Sequence, residues 1–153
     1  MTAEVTDMDK TDVRFICTQK DHRRHQAEGL RWWHVGDWAE ANAAYDGMWP
    51  GVGPWPETEW RDLYAEGTRY CAVVNSGKAL ATAGLWTRSE EQWEVIAVGT
   101  APGHRGRGHG KAVVSLVTEE IHRFGRDATI TTQAGNLPML RVIQQLGYTE
   151  LAN

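Results

Sequence analysis

The segment from Pro102 to Lys111 constrains this chain more than any other feature of its sequence. It reads PGHRGRGHGK and lies between an expected strand at 92–100 and an expected helix. Apolar residues spaced at three and four indicate that helix, namely Val113, Val114, Leu116, Val117, Ile121 and Phe124. Glycines allow a tight turn and a close approach of an anion, and the free N–H groups at a helix start attract phosphate. The segment therefore predicts a phosphate-binding loop; a glycine-rich turn whose arginines are merely solvated is the alternative.

The charge of the chain is divided between two stretches of opposite sign. The formal net charge is -4, from 16 basic and 20 acidic residues, which argues against a nucleic-acid partner. Residues 101–126 carry five bases and two acids, a net of +3, whereas residues 37–66 carry seven acids and one base, a net of -6. The two stretches predict two ligands of opposite sign.

Composition limits the class of protein. With 41% hydrophobic and 24% charged residues, the chain is globular rather than disordered. No apolar run approaches about 18 residues, so we expect no membrane span, and the polar, acidic residues 1–11, expected as a flexible tail, lack the apolar centre of a signal peptide. Two cysteines, Cys17 and Cys71, make neither a disulfide framework nor a zinc site. We expect a cytoplasmic protein without a metal, with one domain over residues 12–153 and Cys71 in its core.

The order of the predicted elements indicates an α/β, or mixed α+β, layered sheet flanked by helices. Helices are expected over residues 21–33, 36–46 and 58–66, after a first strand at 13–18. Strands are expected at 70–74, 79–87, 92–100 and 128–132, the first two around a tight Asn75-Ser76-Gly77 turn. Asn136 is expected to cap a last helix that Gly147 ends.

Two common phosphate loops fit the glycine-rich segment poorly. A P-loop needs lysine and then serine or threonine after its last glycine, and that pattern is missing here. The dinucleotide-binding fingerprint needs G-x-G-x-x-G in a first βαβ unit. This segment has G-x-G-x-G, late in the chain and after an expected antiparallel meander.

Two motifs together resemble the GNAT acyltransferase superfamily. Pro102–Gly110 resembles its pyrophosphate motif, Gln/Arg-x-x-Gly-x-Gly/Ala after a strand. Asn136–Leu140, followed by Leu146–Tyr148, resembles its second signature, a helix that ends in a leucine-glycine-aromatic step. The resemblance covers Tyr70–Tyr148, whereas residues 19–69 match only in having helices where the family has its first two.

The resemblance implies a mixed sheet splayed between its fourth and fifth strands, with an acyl-coenzyme A, most simply acetyl-CoA, as co-substrate. The pantetheine arm would lie in the splay and pair with backbone near the end of the fourth strand. The N–H groups of the glycine-rich segment would hold the pyrophosphate. The implied coenzyme-binding residues are Val98, Thr100, Arg105, Gly106, Arg107, Gly108, His109, Gly110, Lys111 and Asn136.

Glu94 is the candidate catalytic base. It lies eleven residues before Arg105, where many members of the resembled family carry a glutamate as base or proton relay. Strand alternation would place it on one face with Ile96, Val98 and Thr100. Acyl transfer to an amine needs such a group to remove a proton. A glutamate at an exposed strand start is the alternative reading.

One position departs from the pattern of the resembled family. The usual acid for the leaving thiolate is a tyrosine seven residues after the asparagine, where this chain has Ile143. Tyr148 lies just past the helix and is not expected to replace it. Either water protonates the thiolate, whose pKa is near 8.5, or the site performs no acyl transfer.

The end of the chain is a second departure. The family usually has two more strands after the leucine-glycine-aromatic step, but this chain stops five residues after Tyr148, so the fold is expected to be truncated with at most one short strand there. Either the fifth strand of the family is an exposed edge, or another subunit or the N-terminal half covers it. This choice is the reason for expecting a homodimer.

Residues 37–66 are expected to form the acceptor side, since the first two helices of the resembled family build that pocket. Their acids accompany several aromatic residues, namely Trp38, Tyr45, Trp49, Trp55, Trp60 and Tyr64. Aromatic faces and carboxylates suit a cation with an apolar body. Trp49 and Trp55, in a loop rich in glycine and proline, are the best candidates for substrate binding. Alternatively, the tryptophans pack a small core whose wet face carries the acids.

These expectations combine into an N-acetyltransferase that transfers directly from acetyl-CoA to a small amine-bearing, cationic or aromatic acceptor. One alternative is an acyl-CoA-binding module of the same fold without transferase activity. Another is a biosynthetic enzyme of the same fold with different chemistry, such as decarboxylation or condensation. Acylation of an aminoacyl-tRNA fits less well, because only the glycine-rich segment is basic.

Overall fold

A computed structural model describes residues 10–48 and 55–151 of the chain. Within this part, the strands are β1 (Asp12–Cys17), β2 (Leu30–Trp33), β3 (Arg69–Asn75), β4 (Lys78–Trp86), β5 (Trp93–Thr100), β6 (Ala128–Gln133) and β7 (Thr149–Glu150). The helices are α1 (Trp38–Met48), α2 (Glu57–Ala65), α3 (His109–Arg123) and α4 (Leu137–Leu146). The strands form one sheet in the order β2-β3-β4-β5-β6-β1-β7. Only β5 and β6 run parallel, so the predicted mixed sheet flanked by helices is confirmed.

The two faces of the sheet carry two separate cores. Helix α3 packs on β3, β4 and β5, and its predicted apolar stripe is buried at Val113, Val117 and Ile121. The opposite face carries an aromatic cluster under α1 and α2 that includes Trp60 and Tyr70. The amphipathic pattern of α3 therefore decides which side of the helix packs against the sheet.

Strand β1 covers the edge of β6 for which the sequence analysis gave three alternatives. It pairs antiparallel with β6 from Asp12 opposite Gln133 to Cys17 opposite Ala128, and β7 pairs with its other edge. The edge is therefore neither exposed nor dependent on another subunit, because the N-terminal half of the chain covers β6. After Tyr148 the described residues hold one short strand, β7, as expected.

The helix predicted over residues 21–33 is wrong. Residues 22–27 have no helical structure, and β2 pairs antiparallel with β3 from Leu30 opposite Val73 to Trp33 opposite Tyr70. Gly29, at φ +83°, comes so close to β3 that a Cβ there would lie 2.1 Å from the carbonyl oxygen of Val74. Pairing with a buried neighbour, together with two adjacent tryptophans, outweighs the local helix propensity.

Residues 18–29, which we call the strap, connect β1 to β2 across the outside of α3 and α4. The backbone N–H of Arg23 donates to Leu146 O at 2.9 Å. On α3, Ser115 Oγ accepts the His25 backbone N–H at 2.9 Å and lies 3.0 Å from His22 Nε2. The strap is thus fixed to both helices, and its middle lies near the beginning of α3.

The remaining predicted elements are confirmed within a few residues. Ser76 and Gly77 make the turn between β3 and β4 with φ values of +53° and +75°. Asn136 Oδ1 accepts the Met139 N–H at 3.3 Å and so caps α4, and Gly147 follows α4 at φ +102°. Of the predicted tail, residues 1–9 lie outside the described residues.

Candidate functional site

The sheet opens between β5 and β6. Their parallel pairing runs from Trp93 opposite Ala128 only to Val95 opposite Ile130, although both strands continue. Beyond that point, residues 96–100 are half-buried and Thr131 is exposed. The two strands therefore diverge towards their carboxyl ends, which is the splay that the sequence predicted between these strands.

A β-bulge lies on the β5 side of the splay. Thr82 pairs with Gly99 and Gly84 with Ile96, so Ala97 and Val98 together oppose the single residue between them on β4. Ala97 has φ +54°, which is unusual for a residue with a side chain. The bulge reorients backbone N–H groups at the point where the strands separate.

The bulge also corrects one prediction about side-chain direction. Strand alternation was expected to put Glu94 on one face with Ile96, Val98 and Thr100. Ile96 lies near Tyr70 in the aromatic cluster, but Val98 packs in the core under α3. The expectation is therefore wrong beyond Ile96, because two successive residues at the bulge shift the alternation by one.

The glycine-rich loop leads from the end of β5 into α3, at the mouth of the splay. Gly103, Gly106 and Gly108 all have φ values between +79° and +84°, and a Cβ on either of the first two would meet nothing within 4 Å. The first bond of α3 runs from Ala112 N to Gly108 O at 3.0 Å. The N–H groups of the three residues between them therefore have no partner within the helix and can bind an anion.

The predicted coenzyme-binding residues come together around this loop. A Cβ on Gly110 would lie 3.1 Å from Thr100 Oγ1, so the end of β5 and the first turn of α3 are in contact. Arg105 and Arg107 are exposed and Lys111 is half-buried. Asn136 follows the end of β6, on the other side of the splay, and its exposed side chain caps α4.

Three histidines lie at the loop: His104 and His109 belong to it, and His25 comes from the strap. A Cβ on Gly108 would lie 2.9 Å from Nε2 of His25, so this imidazole touches the beginning of α3. His104 and His109 each have a buried Nδ1 without a partner among the described residues. Burial, followed by the neighbouring His104 and Arg107, lowers the pKa of His109 below its usual value. Sequence reasoning missed His25, because a helix was expected there.

Glu94 lies on the face opposite α3, where β5 and β6 are still paired. Its side chain is nearly buried, with 5% of the residue exposed. Thr131 Oγ1 donates a hydrogen bond to Glu94 Oε1 at 2.9 Å. Guanidinium nitrogens of Arg14 and Arg88 each lie 3.9 Å from the same oxygen. The carboxylate is therefore held in place and flanked by two cations, so the reading as an exposed glutamate at a strand start is wrong.

Trp86 is an aromatic residue of this site that sequence reasoning missed. It is directly opposite Glu94 in the β4–β5 ladder, so both side chains share one face. The residue is 40% exposed, and the guanidinium carbon of Arg88 lies 5.6 Å from its ring centre. No local signal marks Trp86, because its position beside Glu94 depends on the register between β4 and β5.

In the predicted acceptor side, residues 37–66, which we call the lobe, Trp55 and Trp60 pack in a small core, whereas Arg61, Tyr64 and Glu66 line the cavity described below. The ring of Trp55 lies 5.5 Å from that of Trp60 and 5.1 Å from that of Tyr70. Asn42 fixes the Trp55 backbone through two hydrogen bonds of 2.8 and 3.1 Å. Trp55 stays half-buried, while Trp49 lies outside the described residues.

Several acids of residues 37–66 have partners on the surface of the lobe. Glu40 pairs with Arg31, and Glu57 pairs with Arg61 at 2.9 Å. Asp37 accepts the His34 backbone N–H at 2.7 Å. These carboxylates form part of the wet face that the alternative reading described.

The last helix contributes no acid to the splay. Ile143 is fully buried in the core under α3. Tyr148 is also buried, its hydroxyl lies 2.6 Å from Thr118 Oγ1, and burial raises its pKa well above the usual value. Tyr148 is therefore a core residue, which agrees with the expectation that it does not replace the missing tyrosine of the last helix.

A cavity of about 1140 Å³ lies at the other end of the sheet. Its lining includes Trp93 at the beginning of β5 and Phe124 just after α3, whereas the glycine-rich loop joins the end of β5 to the beginning of α3. The cavity is therefore separate from the splay.

In the described part of the chain, no group of three or more histidine, cysteine, aspartate or glutamate side chains could hold a metal ion. None of its helices has the length and apolar character needed to cross a bilayer. Both cysteines are free and buried, so the expectation of Cys71 as a core residue is confirmed.

The model of the acetyltransferase (GNAT) family matches residues 27–148. This range begins inside the strap, so β1 lies outside it although it completes the sheet. No curated protein matches the sequence significantly.

Solved structures share the fold. A GNAT-family protein from Novosphingobium aromaticivorans has a TM-score of 0.72 and 23% identity, with 92% of this chain and 59% of that chain covered. A GNAT-family acetyltransferase from Colwellia psychrerythraea has a TM-score of 0.69 and 15% identity, with 91% and 52% covered. The chain thus spans little more than half the length of these two proteins. The structure of AAC(6')-Iy in complex with the bisubstrate analogue CoA-S-monomethyl-acetylneamine has a TM-score of 0.63 and 18% identity, with 81% and 92% covered.

Proposed function

Because the chain belongs to the acetyltransferase (GNAT) family, we propose that it is an acyl-CoA-dependent N-acyltransferase, with acetyl-CoA as donor and a small amine as acceptor. The observation that carries this proposal is the splay between β5 and β6 with an anion-binding loop at its mouth. A long, thin, polyanionic donor needs both features together, since its phosphates and its thioester lie at opposite ends. Neither feature is explained by packing alone.

The phosphates of the donor are bound at the beginning of α3. Backbone N–H groups from Gly106 to Lys111 donate hydrogen bonds to these phosphates, aided by the helix dipole and by the side chains of Arg105 and Arg107. Beyond the loop, the backbone near Val98 and Thr100 pairs with the amides of the pantetheine arm. Asn136 contacts the arm from the β6 side.

The transfer forms one N–C bond and breaks one C–S bond. The bound ammonium first loses one proton to the carboxylate of Glu94; the neutral nitrogen then attacks the thioester carbon and releases its second proton to water as the C–S bond breaks. Glu94 lies three residues before the bulge at Ala97, about 10 Å along the strand, so one or two waters relay the proton that it receives. N–H groups of the bulge stabilise the negative charge that develops on the thioester oxygen. The departing thiolate takes its proton from water.

The acceptor binds on the face that carries Glu94. The exposed indole of Trp86, directly opposite Glu94, offers a flat surface that suits an aromatic or cationic acceptor. An acceptor bound there extends its amine along the sheet towards the splay rather than into the lobe around Trp55.

Activity of the Glu94→Gln variant tests this proposal. With acetyl-CoA and a panel of amines, thiol release by the wild type is expected, and the variant should lose about 100- to 10,000-fold in kcat, as removal of a general base does. Calorimetry should give the same acetyl-CoA affinity for both proteins. Glu91→Gln is the matched control, because Glu91 is an exposed neighbour of the same type. Unchanged turnover by Glu94→Gln would remove Glu94 from the mechanism.

A coenzyme-binding module without transfer is the second candidate, and the burial of Ile143 at the usual acid position favours it. It predicts acetyl-CoA binding without thiol release for any amine. In both cases Arg107→Gln should weaken acetyl-CoA binding, whereas Arg123→Gln, at the far end of α3, should not. Turnover by the wild type decides between the two candidates.

A further inference from the structure

Two arginines from different elements converge on the candidate base. Arg14 belongs to β1 and Arg88 follows β4, and each places a guanidinium nitrogen 3.9 Å from Glu94 Oε1. This distance is too long for a hydrogen bond. Glu94 instead accepts its short hydrogen bond from Thr131, so it does not use the donors of either arginine.

Both guanidinium groups keep unused donors. Nε of Arg14 is buried without a partner among the described residues, and its Nη2 has only Gln92 Oε1 at 3.5 Å. Arg88 makes no hydrogen bond within the described ranges, although its guanidinium stacks over the indole of Trp86. A buried N–H without an acceptor costs about 1–3 kcal/mol, so such a donor points to an acceptor that arrives with a ligand.

The charges of this cluster also call for one more anion. Arg14, Arg88 and Glu94 together carry one unbalanced positive charge. Guanidinium groups have planar pairs of donors that match a carboxylate, and a hydrogen bond between these two charged groups is about twice as strong as a neutral one. A ligand carboxylate would balance the charge and supply acceptors to both arginines.

The cluster of Arg14, Arg88 and Glu94 lies next to the splay, so the anion that it binds can be part of the acceptor. Thr131 and Arg14 are directly opposite each other in the β6–β1 ladder, on the same face as Glu94. Thr131 is also the first residue of β6 beyond the paired segment, where the splay begins. A molecule that lies along this face can therefore have one end at the arginines and the other at the splay.

Resting on the proposed function, we propose that the acceptor is an amino-carboxylate compound, whose amine reaches the splay while its carboxylate binds between Arg14 and Arg88. The match to the family model begins at residue 27, so Arg14 lies outside the matched range. The acidic stretch at 37–66 predicted a cation with an apolar body as acceptor. Two of its seven acids, Glu40 and Glu57, pair with arginines, and the amine of a zwitterion keeps the expected positive charge.

Paired acceptors test the inference. Each pair has the same amine and carries either a carboxylate or its uncharged primary amide, from glycine through 6-aminohexanoate to dipeptides. We expect kcat/KM about 10- to 100-fold higher for the carboxylate member of the best pair, the range of a charged hydrogen bond. Arg88 lies in a loop, so Arg88→Gln should fold normally. It should abolish the preference for the carboxylate member by raising the KM of that member. Arg88→Lys should restore part of it, and Arg123→Gln should leave it unchanged.

Calorimetry with CoA present separates this inference from the proposed function. Tighter binding of 6-aminohexanoate than of its amide by the wild type but not by Arg88→Gln, without turnover, would support the carboxylate site and contradict the transferase. Turnover with equal kcat/KM for carboxylate and amide members would overturn the inference and leave the transferase standing. Absence of both binding and turnover for every pair would overturn the inference as well.

Discussion

Gly147 offers the sharpest test of how the strap lies on the molecule. It follows α4 at φ +102°, and a Cβ there would lie 2.0 Å from Asp21 O and 2.9 Å from Asp21 C in the strap. Gly125, which follows α3 at φ +75°, has nothing within 4 Å of the same position. The two glycines end helices in similar backbone conformations but differ in what a methyl group would meet. Gly147→Ala and Gly125→Ala therefore form a matched pair.

The expected costs differ because only one site has a close neighbour. A left-handed conformation costs a residue with a side chain about 1–2 kcal/mol, and this applies to both variants. At Gly147 the obstacle is backbone, so the strap must shift by more than 1 Å to reach van der Waals contact. Such overpacking adds about 1–3 kcal/mol. The hydrogen bond from Arg23 N to Leu146 O, at 2.9 Å, is strained by the same shift and adds about 1 kcal/mol.

Urea unfolding of the two variants measures the difference. We expect a loss of about 1–2 kcal/mol for Gly125→Ala and about 3–6 kcal/mol for Gly147→Ala. For a chain of this length, 1 kcal/mol corresponds to about 2–4 °C in Tm, so thermal melts should separate the variants by several degrees. Equal losses, within about 0.5 kcal/mol, would mean that the strap does not lie against the end of α4.

Three further predictions follow from the buried and paired groups. Burial, followed by the charge of His122, lowers the pKa of His22, so the unfolded chain binds the proton more readily than the folded chain does. The free energy of unfolding should therefore be full above about pH 6.5 and fall below it. His22→Gln should reduce that fall in urea titrations at pH 7.5, 6.5 and 5.5. Burial raises the pKa of Cys17 to about 12, and it raises the pKa of Cys71 as well. A thiol reagent at pH 8 should therefore label neither cysteine in the native protein and both in denaturant. Rapid labelling of the native protein would contradict their burial. Trp86→Ala should raise KM for the acceptor about threefold to tenfold without changing acetyl-CoA affinity, and an unchanged KM would place the acceptor elsewhere.

Local signals made much of the fold predictable. The glycines of the loop, the spacing of apolar residues on α3, and the Asn136 and Gly147 ends of α4 each act within a few residues, and the structure confirms the elements they predict. Long-range pairing was not predictable in the same way. The strap and β2 have a helix-like composition, but the edge of β3 gives Trp32 and Trp33 a partner that local propensity does not see.

Some residues of the candidate site were predictable from local spacing, and others depend on long-range strand pairing. The loop and Glu94 could be found from spacing along the chain, since both belong to one strand–loop–helix unit. Arg14 and Trp86 could not, because their proximity to Glu94 depends on which strands are neighbours. The direction of Val98 was predicted wrongly because an inserted bulge residue carries no clear signature in sequence.

The insertion of β1 between β6 and β7 affects the order in which the protein can fold. Its partners, from Ala128 to Gln133, are synthesised long after β1 itself, so β1 pairs late although it is made early. Contacts of such high sequence separation slow folding, and until they form, β6 has an unpaired edge. An apolar segment, with Phe15 and Cys17 in it, therefore stays unpaired until β6 has been made. We expect refolding to be limited by the docking of β1.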